Sequence, residues 1–378
     1  MNAITRRIDP WIAASTLALL AMGLVNLRGL EGLDTTLRGG FALRQSLWIA
    51  IGLGAGAWTY RLARRDRHRE LAWVFALGLG AVLLCLSGFH AEMRGVRRWM
   101  RLGPILVQPS EALKLGVVAA LARWFGDAPI GTRTWSRALG GVLAAVSLPV
   151  ALVASQPDLG TAVLLIAIAL STLLVTPRAA RSMGFVIGTT VLPALLLPRL
   201  VLHEYQLARL RAFLDPERYA AIAWQPMQAR GALVGGRWFG AEQSLHALRH
   251  LPDARTDFAL VAWANQHGVI ALALAFAAYA LLVTRVFAIA RRATERYDLA
   301  LVTGVGAVIL WQTAMNAAMS LGAIPVVGVG APLVAYGGSN MVLSLAAIGA
   351  ALGVGARIEA TPKGPDAPGP ERLYRGAA

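Results

Sequence analysis

The sequence is poor in cysteine, lysine and acidic residues. Cys85 is the only cysteine among 378 residues, which excludes a disulfide within the chain and a cysteine-based metal site. Lys114 and Lys363 are the only lysines. With 36 Lys and Arg against 20 Asp and Glu, the net charge of +16 therefore comes almost entirely from arginine. A cleavable signal segment is also lacking, and we expect the first apolar run to be a retained helix.

Apolar residues are abundant instead. They make up 57% of the chain, the mean hydropathy is +0.57, and crossing a membrane takes about 20 apolar residues. We predict an all-α polytopic membrane protein with about ten transmembrane helices and both termini in the cytoplasm. The expected spans lie near residues 11–27, 44–62, 71–89, 111–125, 138–154, 158–176, 184–202, 258–284, 299–323 and 333–356.

The arginines are spread over many short loops, which argues against a nucleic-acid-binding face. Those after spans two, six and eight would all be cytoplasmic, as the positive-inside rule requires. The predicted outer loops are rich in arginine as well. Two explanations stay open: an arginine-biased composition with side chains that reach the interface, or an anionic ligand bound on the outer face.

Residues 203–257 form the longest polar segment, between predicted spans seven and eight. Leu207, Leu210 and Leu214 have helical spacing, so we expect a structured loop with an interfacial helix rather than a disordered one. Residues 1–360 are predicted to form one transmembrane domain. The Pro- and Gly-rich residues 361–378 are predicted to be a disordered cytoplasmic tail.

Polar residues with possible chemistry cluster on the predicted outer side. Glu111 and Lys114 are three apart, so they share a helical face and can pair, as a site or as a structural ion pair. Asp158 and Asp257 each precede an apolar run, which fits a helix cap as well as a catalytic carboxylate. Trp99 could be an interfacial anchor or the wall of a head-group site. Ser339, after Gly337 and Gly338, could bind a ligand or mark a helix break.

Five ordered motifs together resemble the SEDS family of shape, elongation, division and sporulation proteins over nearly the whole chain. They are Gly95-x-x-Arg-Trp99, Gln108-Pro-Ser-Glu111 with Lys114, Gln156-Pro-Asp-Leu-Gly160, Leu251-Pro-Asp-x-x-Thr-Asp-Phe258, and Pro325-x-x-Gly328 with Pro332 and Tyr336-Gly-Gly-Ser339. The resemblance implies a glycosyltransferase of the bacterial cytoplasmic (inner) membrane that polymerises lipid II on the outer face. It also implies a class B penicillin-binding protein as partner, and an essential role for Asp257.

The chain departs from the family pattern at several positions. Asp253 stands where the family usually has Glu, Arg255 where it has His, and Ala335 where it has Ser. Asn265 and Gln266 occupy the place of a usual Glu-Glu pair. The short N-terminus favours the elongation branch (RodA-like) over the division branch (FtsW-like).

In the mechanism that follows from the resemblance, Asp257 removes the proton of the acceptor 4-hydroxyl. Trp99, Glu111, Lys114, Asp158 and Ser339 are further substrate-binding candidates. A divalent cation, Mg²⁺ or Mn²⁺, could share the charge of the leaving diphosphate. The arginines expected to bind that diphosphate are Arg97, Arg98, Arg209, Arg211 and Arg255. A lipid II flippase and a non-catalytic activator of the penicillin-binding protein remain as alternatives.

Overall fold

The computed structural model describes residues 8–33, 40–65, 68–88, 98–103, 105–126, 140–176, 179–196, 204–240 and 245–360. Its α-helices are α1 (Pro10–Leu33), α2 (Phe41–Arg64), α3 (Ala72–Leu86), α4 (Pro109–Gly126), α5 (Leu148–Ser155), α6 (Leu159–Leu173), α7 (Ala179–Val186), α8 (Leu192–Leu196), α9 (Glu204–Leu214), α10 (Ala220–Gly235), α11 (Leu245–Arg249), α12 (Ala259–Arg291), α13 (Arg296–Ser320) and α14 (Gly338–Ala360). A 3₁₀ turn (His68–Leu71) precedes α3, and π-helical turns precede α5 (Leu143–Ser147) and α8 (Ile187–Val191).

Long apolar helices dominate the fold. Within the described residues, five helical segments are long and apolar enough to cross a membrane: Pro10–Gly32, Arg69–Leu86, Ala259–Arg291, Arg296–Ser320 and Gly338–Ala360. Each of the ten predicted apolar runs overlaps a helix. The chain is therefore a mostly helical membrane protein, while ten spans and cytoplasmic termini remain predictions.

The structure differs from the predicted helices in three places. Met100–Leu102 (β1) and Ile105–Val107 (β2) pair antiparallel in a two-stranded hairpin, so the fold is not entirely α-helical. The last long helix begins at Gly338 rather than near 333, because residues 332–337 form the turn that leads into it. Helix α12 is broken at Gly268, whose φ of 88° is open to glycine and strained for other residues.

Two apolar clusters form the body of the bundle. The larger is built from α1, α2, α4, α6, α12, α13 and α14, and includes Tyr297 and Ile168. The second joins α3 and α5 to α4 and α6 around Leu113 and Leu165. Helix α2 packs closely on α14, where Gly56 and Gly349 touch backbone to backbone and a Cβ on Gly349 would collide with Gly56. This contact fixes the position of α2 against α14, although the two helices are far apart in the sequence.

Ion pairs gather at one end of the long helices. Arg285 near the end of α12 binds Asp9 before α1 at 2.6 Å, and Arg357 near the end of α14 binds Asp298 at the start of α13. The loop before α12, the end of α13 and the start of α14 lie at the other end of the same helices. That second end carries Asp257, before α12, and Ser339, at the start of α14.

Candidate functional site

Asp257 lies in a tight turn just before α12. The backbone N–H groups of Thr256 and Phe258 both donate to the carbonyl of Asp253, which closes the turn. Phe258 is fully buried and is the N-cap residue of α12, so Asp257 stands one position before the cap. Its side chain is half-buried, neither sealed in the core nor fully in water. The turn thus presents a carboxylate from a rigid helix end.

The loop after α13 lies directly beside this carboxylate. A Cβ built on Gly328 would stand 3.5 Å from Oδ2 of Asp257, and Gly328 has a φ of 73°. The side-chain amide of Asn316, at the end of α13, donates to the carbonyl oxygens of Asp257 and Val329, both at 2.7 Å. Both N–H bonds of one amide therefore hold the two loops together.

Asp158 is the N-cap of α6 and is 1% exposed. It accepts hydrogen bonds from the backbone N–H and the hydroxyl of Thr161, at 3.2 and 2.9 Å. The Gln108 amide donates to it at 3.1 Å, and Nη1 of Arg98 lies 3.5 Å away. Asp158 is therefore a helix cap and a member of an ion pair, and its role in substrate binding stays a prediction.

The same cluster reaches the start of α14. The backbone N–H of Gln108 donates to the hydroxyl of Ser339 at 3.1 Å, which joins the segment before α4 to α14. At the start of α6, a Cβ on Gly160 would collide with the carbonyl of Val327. This close packing brings the Asp158 turn up to the loop that holds Gly328.

Glu111 and Lys114 form an ion pair inside α4. Nζ of Lys114 lies 2.5 Å from Oε2 of Glu111, and the lysine is 4% exposed. The ammonium group also donates to Oε1 of Gln312 on α13 at 2.9 Å. The amide of Gln312 in turn donates to the carbonyl of Gly330 and to Oδ1 of Asn340, both at 2.9 Å. The predicted pair is therefore part of a buried polar network.

Arg255 stacks its guanidinium on the ring of Phe41, 4.0 Å from the ring centroid. Tyr336 packs edge-on against the Phe41 ring, with the two ring centroids 5.4 Å apart, and its backbone N–H donates to the carbonyl of Arg255 at 2.8 Å. Nη1 of Arg255 is buried and makes no hydrogen bond. A desolvated cationic donor two residues from Asp257 is suited to an anionic group.

The contacts seen for the remaining predicted site residues in the described part of the chain are with residues other than Asp257. Arg209 donates to the carbonyl of Val326 at 2.8 Å and lines a cavity of about 340 Å³ between α9, α10 and residues 322–326. Arg211 is exposed and lies 3.9 Å from Glu204. Trp99 is half-buried ahead of the β1–β2 hairpin, and Arg97 falls outside the described residues, as does the tail from 361.

Asn265 and Gln266 act as hydrogen-bond donors where carboxylates could not. The fully buried amide of Asn265 donates to the carbonyl of Ala232 on α10 at 2.6 Å. That of Gln266 donates to Oδ1 of Asn26 on α1 at 2.8 Å. The short first part of α12 is thereby tied to α10 and α1.

Sequence reasoning missed three residues that the structure places around the candidate site: Gln312, Asn340 and Phe41. Gln312 and Asn340 carry the polar network between α4, α13 and α14, yet each stands as a lone amide in its sequence context. A signal for Gln312 exists: it lies four residues before Asn316, so both must face the same side of α13. Phe41 gave no such signal, because only the fold brings it under Arg255.

A metal site is not preformed in the part of the chain that the structure describes. There, no three His, Cys, Asp or Glu side chains lie close enough to hold an ion. Among the candidate carboxylates, Asp158 accepts from the Gln108 amide and Glu111 pairs with Lys114, so neither is arranged as part of an ion site. A divalent cation would have to take most of its ligands from a bound substrate and water, as Mg²⁺ commonly does.

Known proteins are similar to this chain in sequence and in fold. The chain is 30% identical to the probable peptidoglycan glycosyltransferase FtsW of Aromatoleum aromaticum, over 91% of this chain and 87% of the relative. It is also 30% identical to the peptidoglycan glycosyltransferase MrdB of Escherichia coli K12, over 92% of this chain and 93% of the relative.

Two solved structures have the same fold. One is a chain from a peptidoglycan synthase complex that coordinates polymerization and crosslinking; it matches with a TM-score of 0.76 and 27% identity, over 94% of this chain and 99% of that one. The rod shape determining protein RodA of Thermus thermophilus matches with a TM-score of 0.66 and 27% identity, over 92% and 96%. The sequence profile of the cell cycle proteins FtsW, RodA and SpoVE matches residues 10–358, so this chain belongs to the FtsW/RodA/SpoVE family of cell cycle proteins, as its five motifs predicted.

Proposed function

We propose that this protein is a peptidoglycan glycosyltransferase that polymerises lipid II on the outer face of the bacterial inner membrane, in elongation or division. Relatives named for this activity align along nearly their whole length. The observation that carries the proposal is the half-buried Asp257 carboxylate, held at a helix end with Gly328 beside its Oδ2. A carboxylate that is neither sealed in the core nor fully exposed can accept a proton from a bound sugar.

In the proposed reaction, the 4-hydroxyl of the acceptor sugar attacks the anomeric carbon of the donor. The new C–O bond forms as the bond to the donor's diphosphate breaks, and the hydroxyl proton passes to Asp257. A single displacement converts the α-linked donor into a β-linked product. The diphosphate leaves with the bonding electron pair, so a cation must meet it.

Arg255 is the described residue best suited to that task, since its Nη1 has no partner in the protein. Arg98 would contribute from its place beside Asp158, while Arg97 and Trp99 remain candidates from the sequence. Arg209 and Arg211 would act at the outer loop and not beside Asp257. A Mg²⁺ or Mn²⁺ ion would add positive charge at the diphosphate, with most of its ligands taken from the substrate and water.

The proposal also includes a membrane topology and a protein partner. The ten-span topology would place Asp257, Ser339 and the 203–257 loop outside and both termini in the cytoplasm. A class B penicillin-binding protein would be the crosslinking partner. The likeness to a chain of a peptidoglycan synthase complex supports this partner.

The direct test uses purified protein, with its penicillin-binding partner, and fluorescent lipid II. Asp257→Asn should reduce glycan synthesis by about 10²- to 10⁴-fold, the range expected for loss of a general base. Asp253→Asn is the matched control, because it neutralises an acid in the same turn, and Asn tolerates the φ of 56° there. Undiminished synthesis by Asp257→Asn would reject the base assignment. Movement of lipid II across vesicles without synthesis would indicate a flippase instead.

A further inference from the structure

Helix α13 presents two amides toward the site, Gln312 and Asn316, one turn apart. Gln312 is 1% exposed and Asn316 is fully buried. Amides buried at this depth destabilise a helix bundle unless their hydrogen bonds are made. The burial of both amides therefore has to be explained by their hydrogen-bond partners.

Asn316 binds the backbone on both sides of the proposed catalytic carboxylate. Its Nδ2 donates to the carbonyl of Asp257 and to the carbonyl of Val329, the residue after Gly328. Since these are both hydrogens of the amide, the carboxylate loop and the glycine that faces it are fixed to a single group.

Gln312 binds the next residue of the same loop, and its orientation is set by Lys114. An ammonium group can only donate, so Oε1 of Gln312 must face Nζ of Lys114. Nε2 is then forced toward the carbonyl of Gly330 and Oδ1 of Asn340. Asn340 Oδ1 also accepts from Ser344 at 3.2 Å, which fixes it on α14.

We propose that Gln312 and Asn316 are positioning residues, and that the Glu111–Lys114 ion pair acts on the reaction through them rather than by touching substrate. The path runs from Lys114 to Gln312, from there to Gly330 and Val329, and through Asn316 to Asp257. The effect on the reaction rests on the proposed function. The hydrogen-bonded path itself does not, since every link is a hydrogen bond between described residues or a step along the chain.

The position of Lys114 accounts for its burial. A lysine that is 4% exposed costs free energy, and Glu111 offsets that cost at 2.5 Å. Lys114 then donates a charge-assisted hydrogen bond, which is stronger than one from a neutral donor and holds the Gln312 amide in one rotamer. Removing the charge should free the amide to rotate, and the loop at 328–330 should loosen with it.

The first measurement is hydrogen–deuterium exchange in wild type, Asn316→Leu, Gln312→Leu and Lys114→Met. We expect backbone amides of 253–260 and 327–332 to exchange about fivefold to tenfold faster in each variant, as the loss of one or two buried hydrogen bonds predicts. Thr313→Val is the matched control on α13, because the Thr313 hydroxyl is buried and makes no hydrogen bond. Unchanged exchange at both segments in Asn316→Leu and Gln312→Leu would overturn the proposal.

The second measurement separates positioning from folding. With lipid II as substrate, the same variants should lower kcat about 10- to 100-fold while KM stays within about threefold, since a misplaced base loses transition-state and not ground-state contacts. Asn316→Ser retains one donor for two carbonyls, should fold where Leu does not, and should fall between wild type and Asn316→Leu. The double variant Lys114→Met/Gln312→Leu should be no slower than the slower single variant, because both break one path. If the losses of kcat in the two single variants add up in the double variant, the proposed path from Lys114 through Gln312 is overturned.

The two proposals fail in different ways. If wild type makes no glycan, the proposed function fails, and the exchange experiment still decides the positioning claim. If wild type makes glycan and Asn316→Leu matches it in kcat, the positioning claim alone is overturned.

Discussion

Gly328 lies against the carboxylate of Asp257, with its missing Cβ position 3.5 Å from Oδ2 and no other atom within 4 Å outside its own chain neighbours. A methyl group there would fit without collision but would cover the face of the carboxylate. We therefore expect Gly328→Ala to lower glycan synthesis at least about tenfold through lost access, in addition to about 1 kcal/mol of backbone strain at its φ of 73°.

Gly103 provides the control for that strain. It has a φ of 61°, and a Cβ there would meet nothing within 4 Å. Gly103→Ala should cost similar stability, read from thermal unfolding in detergent, and leave glycan synthesis near wild type. Equal activity in the two variants would mean that the face of Asp257 toward Gly328 is not where substrate lies.

Arg255 should be a substrate-binding residue and not a structural one. Arg255→Gln removes the unpartnered Nη1 and the charge near Asp257, so we expect KM for lipid II to rise about tenfold, as for loss of a charge-assisted hydrogen bond. Arg44→Gln is the matched control, since exposed Arg44 also lies over the Phe41 ring, at 5.9 Å. A titration of initial rates would show the effect, and identical KM values in the two variants would count against the assignment.

The protein should tolerate loss of the Asn265 amide better than the introduction of a negative charge at that position. Asn265→Asp would remove the donor to Ala232 and bury a carboxylate against a carbonyl, which should cost about 3–5 kcal/mol or shift the acid to its neutral form. Asn265→Ala loses only the hydrogen bond and should cost about 1–3 kcal/mol. Denaturation in mild detergent at neutral pH ranks the variants, and an Asp variant as stable as the wild type would contradict the reasoning.

The Asp9–Arg285 pair should make stability depend on acid pH. Burial raises the pKa of Asp9, but hydrogen bonds from Arg285 and from the N–H groups of Ile12 and Trp11 lower it more, so the folded pKa lies below its ordinary value of 3.8. A carboxyl with a depressed pKa stabilises the fold fully above the unfolded value and loses that contribution as pH falls through the folded value.

The expected result is a wild-type loss of stability below about pH 4 that Asp9→Asn partly lacks. Above pH 5 the wild type should be the more stable of the two. Thermal unfolding across pH 3–7 measures both statements. Parallel curves for wild type and Asp9→Asn would show that the ion pair does not contribute to the acid transition.

The positions of the helices could be foreseen from the sequence because burial in a membrane demands apolar runs of fixed length. Each predicted run overlaps a helix, and α4 begins at Pro109, within the Gln108-Pro-Ser-Glu111 motif. The same reasoning could not find the break in α12, since Gly268 is one glycine among 39. Its role depends on the 238–239 segment, whose backbone a Cβ at Gly268 would strike.

Local sequence alone predicted a role for Asp257 and identified the Glu111–Lys114 pair and the family, since each motif consists of residues a few positions apart. Tertiary structure decided the surroundings of each carboxylate. Asp158 and Asp257 look alike as helix entries, yet Asp158 is buried against Arg98 and Gln108, whereas Asp257 is half-buried beside Gly328. Lys114 finds Gln312 at a separation of 198 residues. Hydrogen bonds require atoms within about 3 Å, and only the packing of whole helices brings such distant side chains that close.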